Sequence, residues 1–197
     1  MVPVAEKETP VTEQRIVDAA TDLFYERGYH ATTMRDIAAA VGIKAGSLYN
    51  HYAGKQEILL RICLETSRDL YEGAVAALEG ISEIEDRLRA FIVYHVTFHT
   101  EIRKACRVSD TQLHYLEPKN RAKVVEVRDS HEKLLREILD RGIKQRRWRS
   151  ENIHVVAIAM ITMCTEVDAW YRPDGPLKPN EIATIYADFV RRGLGTP

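Results

Sequence analysis

The run Lys44-Ala45-Gly46-Ser47-Leu48-Tyr49-Asn50-His51-Tyr52 gathers side chains suited to touching a polyanion. Lys, Ser, Tyr, Asn and His supply donors for phosphates and base edges, and the small Ala45 and Gly46 let a backbone approach a surface closely. From Arg27 to Lys55 the basic residues are Arg27, Arg35, Lys44 and Lys55 against one acid, Asp36, in a chain of net charge −1. That local excess is more informative than the overall balance. A second constellation is His95 and His99, four residues apart, a helical spacing at which two imidazoles share a metal, with His114 as the only further candidate ligand. A metalloprotease of the H-E-x-x-H type needs Glu directly after the first His, and this chain has Val96. No G-x-S-x-G elbow is present, and Cys63, Cys106 and Cys164 have no evident activating partner. Polar residues in or near a cavity are the simpler reading of the histidines, and no catalytic residue, metal or cofactor is expected. The alternative is a helical metal-dependent enzyme using His95 and His99.

The basic run needs a scaffold. Thr32 and Thr33 stand where side-chain caps precede a helix, and Asp36 adds negative charge to its first turn. Ile37, Ala40 and Val41 give that helix a narrow apolar face, and Gly42 ends it. A second helix starting near Lys44 or Ala45 carries Leu48 inward. Two such helices around a glycine turn form a helix-turn-helix, too short to stand alone in water. The floor beneath them is a first helix over 12–27, capped by Thr12, with Ile16, Ala19, Ala20, Leu23 and Phe24 in one stripe and Gly28 as its stop. Tyr29 reads as a core plug.

The segment VGIKAGSLYNHYAGKQEIL resembles the recognition-helix signature of the TetR family of transcriptional regulators. IVDAATDLFYERGYHATTMRDIA is similar to that family's first helix and the lead-in to its second, so the resemblance covers about 13 to 60. Lys44 stands where the family more often has Ser or Thr, Ala45 where a polar or basic residue is frequent, and Gly54 where Ser or Asn is usual. The resemblance implies an all-α fold: a three-helix head over 1–54, including an N-terminal arm, and a helical effector-binding and dimerisation bundle over 55–197. It implies a repressor that binds double-stranded DNA at a pseudo-palindromic operator as a homodimer and is released by a small molecule. The implied DNA contacts are Thr33, Lys44, Ala45, Gly46, Ser47, Tyr49, Asn50, His51 and Lys55, with Thr33 and Lys55 on phosphates. A weaker resemblance, WYRPDGPLKPNEIA, points to regulators of fatty-acid and sterol breakdown, several of which sense acyl-CoA thioesters. The cations for such a ligand would be Arg103, Lys104, Arg107 and the Lys144–Arg149 cluster.

The remaining chain is helical in pattern throughout. A long helix from Lys55 to about Leu78 connects head to bundle, and Gly73 in it permits close packing or a bend. Further helices follow: one from Ser82 as cap, one over about 103–115, one over 119–146, one from Asn152 to about Tyr171, and one over about 179–193. The helix IHVVAIAMITMCTEVDAW is apolar on so many sides that its own bundle and a second subunit are both expected to cover it. Asp168 in that helix needs a partner, and Arg172 is four residues on. The effector cavity is expected to be walled by Phe91, His95, Phe98, His99, Leu113, His131, Met160, Met163, Cys164 and Trp170, since Met suits variable apolar ligands. Apolar and charged contents of 45% and 29% are those of a soluble globular protein. No apolar run reaches the ~20 residues that span a bilayer, the start lacks an apolar signal core, and three scattered cysteines suit a reducing cytoplasm. A purely structural interaction module would carry no such helix-turn-helix.

Overall fold

A computed structural model of the chain describes residues 13–149 and 152–195. The expected N-terminal arm and the Thr12 cap lie outside the described residues. Among the described residues all regular structure is helical.

The head is built on α1 (Glu13–Arg27), whose Ile16, Val17, Ala20, Leu23 and Phe24 are buried. Gly28, at φ 84, turns the chain away in a conformation that a side chain would strain. Helix α2 (Met34–Val41) opens with a capping box: Thr33 Oγ1 accepts from the Asp36 amide at 3.2 Å, and the Asp36 carboxylate accepts from the Thr33 amide at 2.7 Å. Thr32 does not cap. It is fully buried and donates to the Gly28 carbonyl at 2.9 Å, stitching the α1–α2 connection instead. The inward face of α2 is Ile37, Ala38 and Val41; Ala40, expected there, is exposed. Gly42, at φ 81, ends it, and α3 (Ala45–Leu48) follows.

Helix α4 (Lys55–Ala77) leaves the head and runs about 35 Å into the bundle at the standard rise per residue. The bundle adds α5 (Ile84–Glu101), α6 (Arg103–Gln112), a 3-10 turn (Leu113–Tyr115), α7 (Pro118–Lys144), α8 (Ile153–Thr165), α9 (Val167–Trp170) and α10 (Pro179–Gly193). Two expectations shift here, and one open alternative is decided. The cap of α5 is Glu83, not Ser82. The single helix read from Asn152 to Tyr171 breaks at Glu166 into α8 and α9. Gly73 serves close packing: a Cβ there would lie 1.8 Å from the Tyr94 hydroxyl, which donates to the Asp69 carbonyl at 3.0 Å.

Two apolar cores result. The lower one joins α1–α3 to Ile58, Leu59, Ile62 and Cys63 of α4 and takes in Val108, Leu116 and Val124. The upper one packs α5, α7, α8 and α10 around Phe91, Leu135, Ile138 and Trp148. Apolar contact therefore crosses the head–bundle boundary drawn at 54/55, because α4 belongs to both.

Candidate nucleic-acid interface and effector cavity

Leu48 anchors α3. It is completely buried in the lower core, which turns its neighbours outward. Lys44, Gly46, Ser47, Asn50 and His51 are exposed, and Tyr49 is 54% exposed. Backbone bonds from Asn50 to Ser47, His51 to Leu48 and Tyr52 to Leu48 carry the turn past α3, so these donors share one stiff surface. A Cβ at Gly46 would meet nothing within 4 Å, so the fold of this chain does not demand glycine there. A second surface approaching closely would. Tyr52 is buried and accepts from Arg61 at 2.6 Å, which ties the end of the turn to α4.

Two of the implied DNA contacts have internal work. Ala45 packs against the lower core, although part of it remains accessible. Lys55 donates to the Tyr29 and Thr32 carbonyls, the latter at 2.6 Å, and stands 4.2 Å from the centre of the Tyr29 ring. Its partial burial lowers its pKa from the ordinary value, with Asp36 opposing that shift. The phosphate role expected for Lys55 conflicts with this placement: the ammonium buttresses the loop before α2. Thr33 is exposed, and its hydroxyl is already engaged by Asp36. Those bonds hold the Asp36 carboxyl below its usual value. Tyr29 is the plug expected of it, buried and accepting from Gln56 at 2.9 Å.

A cavity of about 160 Å³ lies in the bundle. His95, Phe98, His99 and His131 line it as expected, together with Leu70 and Ile161. His95 uses both ring nitrogens, Nδ1 with His131 Nε2 at 3.1 Å and Nε2 with Thr165 Oγ1 at 3.1 Å. His99 stacks on His95 with ring centres 4.5 Å apart, and its Nδ1 faces the His95 carbonyl at 3.0 Å. Burial, with the neighbouring imidazoles, pushes His95 well below the usual histidine range and His131 down to about 3. These rings are held neutral and occupied with one another. His114, the conceivable third metal ligand, is exposed beside Tyr115, and no cluster of three metal-binding side chains occurs among the described residues.

The other expected wall residues lie elsewhere. Phe91 sits behind the cavity, in the upper core, its ring 4.8 Å from that of His131. Leu113 packs on the lower core because the 3-10 turn carries it toward the head. Met160 and Met163 line a separate groove of about 370 Å³ with Phe189 and Val190. Cys164 is buried in the upper core, its thiol pushed up to about 12 by desolvation. Trp170 is 50% exposed, beside Tyr186. The lining missed in the sequence includes Leu70 and Ile161 and, beside them, a polar set: Thr66, Ser67, Ser109, Asp110, Arg128 and Thr165. Arg128 and His131 are three apart on α7, a helical spacing that could have marked them.

The cations expected to hold acyl-CoA phosphates are largely committed. Arg103 donates to the Tyr171 carbonyl at 2.9 Å and to the Tyr25 hydroxyl, Lys104 pairs with Asp22 at 2.6 Å, and Arg107 lies 3.5 Å from Asp168. Arg107, not Arg172, is thus the partner of Asp168. Arg147 pairs with Glu83 and Glu85, and Lys144 with Asp140. Glu83 caps the start of α5 while Arg103 follows its end, so the two cation groups are about 27 Å apart along that helix and cannot serve one phosphate site.

An outward-facing helix-turn-helix and a cavity-bearing helical bundle, joined by one long helix, define a ligand-responsive DNA-binding regulator. Residues 16–62 match the domain described as bacterial regulatory proteins, tetR family, and residues 82–194 match the tetracyclin repressor-like C-terminal domain. The chain belongs to the TetR family of transcriptional regulators, an assignment that does not support the enzyme alternative. It is 29% identical over 191 residues to the HTH-type transcriptional repressor KstR2 of Mycobacterium tuberculosis, covering 91% of this chain and 90% of that protein. PfmR of Thermus thermophilus, a TetR family regulator, superposes with a TM-score of 0.85 at 36% identity over 91% of this chain and 98% of its own. The fold is also that of AibR, solved with isovaleryl coenzyme A and operator DNA, at a TM-score of 0.82 and 24% identity over 89% of this chain and 96% of that one.

Proposed function

We propose that the chain is a homodimeric repressor that grips a pseudo-palindromic operator with its paired α3 surfaces and lets go when a small apolar or amphipathic effector enters the bundle cavity. The observation that carries this reading is the course of α4. Its first turns, at Ile58 and Leu59, are buried in the lower core that also holds α1 and Leu48 of α3, and Thr66, Ser67 and Leu70 of the same helix line the cavity. A ligand that moves α4 at the cavity moves a helix packed into the core of the reading head. Complete release by population shift asks for about 5.5 kcal/mol of differential affinity between the two states.

Dimerisation is supported by α8 and α10. Val155, Ile158, Ile185 and Phe189 are exposed at 58%, 45%, 53% and 65%, around the groove that Met160 and Met163 line. The window Ile153–Trp170 has a mean hydropathy of 1.4, enough by length and composition to cross a membrane, yet it breaks at Glu166 and buries Ala157, Met160 and Cys164 in the upper core. A second copy covering the outer face accounts for its apolar character. Two subunits related by a two-fold axis present two α3 surfaces to two half-sites.

The test is a titration of the purified protein with the promoter region beside its own gene, at fixed salt, with and without a short-chain acyl-CoA. The AibR complex is the reason for that first choice of effector. Binding relieved by the thioester establishes repressor and effector class together. Binding indifferent to it keeps the repressor and discards the thioester, and no binding at any salt discards the DNA reading.

A further inference from the structure

The effector cavity has a polar end whose hydrogen bonds do not close. Arg128 Nη2 lies 3.0 Å from Asp110 Oδ1 and also donates to the Ser109 hydroxyl at 2.8 Å and the Ser109 carbonyl at 3.1 Å. The other carboxylate oxygen, Asp110 Oδ2, is buried without a hydrogen-bond partner; His99 Nε2 stands 3.7 Å away, too far to donate. His131 Nδ1 is also buried and unpartnered, on a ring only 4% exposed. Buried polar atoms favour a partner, so a ligand group that pairs with them gains affinity.

Their chemistry selects the ligand. Asp110 Oδ2 only accepts, so the group facing it must donate. His131 Nδ1 can do either, because the chain Thr165–His95–His131 runs in two directions: His95 Nδ1–H donating to His131 Nε2 leaves a proton on His131 Nδ1, and the reverse leaves it bare. A hydroxyl, donor and acceptor at once, suits the chemistry of each. A carboxylate would meet Asp110 Oδ2 with no cation to spare, since Arg128 is already committed. An ammonium would share one carboxylate with Arg128, cation beside cation. The remaining acids of the lining do not change this: Glu132 is held by Arg136 at 3.3 Å and by His154 at 3.1 Å, and Asp129 is exposed. Leu70, Phe98 and Ile161 supply the apolar remainder. The volume of about 160 Å³ matches a ring-sized body, as an engineered protein cavity of about 150 Å³ holds benzene.

We infer that the part of the effector inserted here is a ring-sized apolar body bearing a neutral hydroxyl, which donates to Asp110 Oδ2 and bonds His131 Nδ1. This rests on the reading of the cavity as the effector site. The test is calorimetric titration of the full chain with phenol, toluene, benzoate and benzylamine, repeated on His131→Phe and on the cavity-filling Ile161→Trp. Phenol should bind about tenfold more tightly than toluene, the scale of one good hydrogen bond to a charged acceptor. His131→Phe, which leaves the bond to Asp110 Oδ2 in place, should reduce that preference in part, and Ile161→Trp should abolish binding of all probes. Toluene binding as well as phenol, in a manner that Ile161→Trp abolishes, overturns the hydroxyl and leaves the cavity standing. Tighter binding of benzoate or benzylamine overturns it in favour of a charged ligand. No binding of any probe removes the cavity reading itself. Should His131→Phe fail to fold, the ranking of the four probes on the unsubstituted protein still decides.

Discussion

Gln112 Nε2 donates to the carbonyl of Phe24 across 2.7 Å in a buried setting, joining the last residue of α6 to the first helix of the head, 88 positions earlier. Phe24 lies in the stripe on which the recognition pair rests, and α6 contributes Cys106, Ser109 and Asp110 to the cavity wall. Arg103 reinforces the joint by holding the Tyr25 hydroxyl and the Tyr171 carbonyl together. Head and bundle thus meet through α6 as well as through α4.

Replacing Gln112 with Leu removes the donor and sets an apolar group against the Phe24 carbonyl. That carbonyl keeps one bond, from the Gly28 amide at 3.0 Å, so the loss should fall at the low end of about 1–3 kcal/mol. Thermal unfolding should show a lower Tm, with effector binding retained and its effect on DNA affinity reduced. A variant with unchanged Tm and unchanged coupling would show that the joint is ornamental.

Tyr49 is exposed and packs on nothing that holds the head together. Tyr49→Ala should therefore change stability by less than about 0.5 kcal/mol. Operator binding should weaken about tenfold or more, with dimer and effector affinity intact. If the dimer also dissociates, the assignment of DNA reading to α3 and association to α8 and α10 is wrong.

Phe189 is the most exposed large apolar side chain among those on α8 and α10. Phe189→Glu places a charge where a second copy would bury it, and an unpaired buried charge is not tolerated. Sedimentation should show a monomer that is still folded, and operator affinity should collapse because half-sites are no longer bridged. A Phe189→Glu protein that remains dimeric would move the interface elsewhere.

Acid should unfold this protein early. His95 and His131 titrate in the fold below their unfolded value of about 6.5, so their contribution is complete above that pH and is lost as pH falls, for His131 toward about 3. Asp168 works the other way. Burial raises its carboxyl to about 6 from 3.8, so it costs stability at neutral pH and that cost is relieved as pH falls from about 6 toward 3.8. Between about pH 5 and 6 two protons oppose one, a net loss on the order of 1.4 kcal/mol per pH unit. Tm should drop from pH 7 to pH 5, and more steeply in Asp168→Asn, which lacks the relief. A flat Tm across that interval would contradict the burial of the histidine pair.

What the sequence determined by itself was local. The Thr33–Asp36 capping box, the Gly28 and Gly42 stops, the inward Leu48, the outward Lys44 to His51 and the span of α10 all follow from side chains acting within a few residues of themselves. Tertiary structure decided everything that needs two distant segments. It took Lys55 from a phosphate to the carbonyls of Tyr29 and Thr32, because the ammonium lies within reach of a loop more than twenty residues upstream. It gave Asp168 to Arg107 and not to Arg172, because α9 ends at Trp170 and the chain runs extended at Tyr171, so no helical turn brings Arg172 back to Asp168. It divided the expected cavity wall among a cavity, a core and an outer groove, since helical periodicity tells which residues share a face but not which neighbour that face will meet.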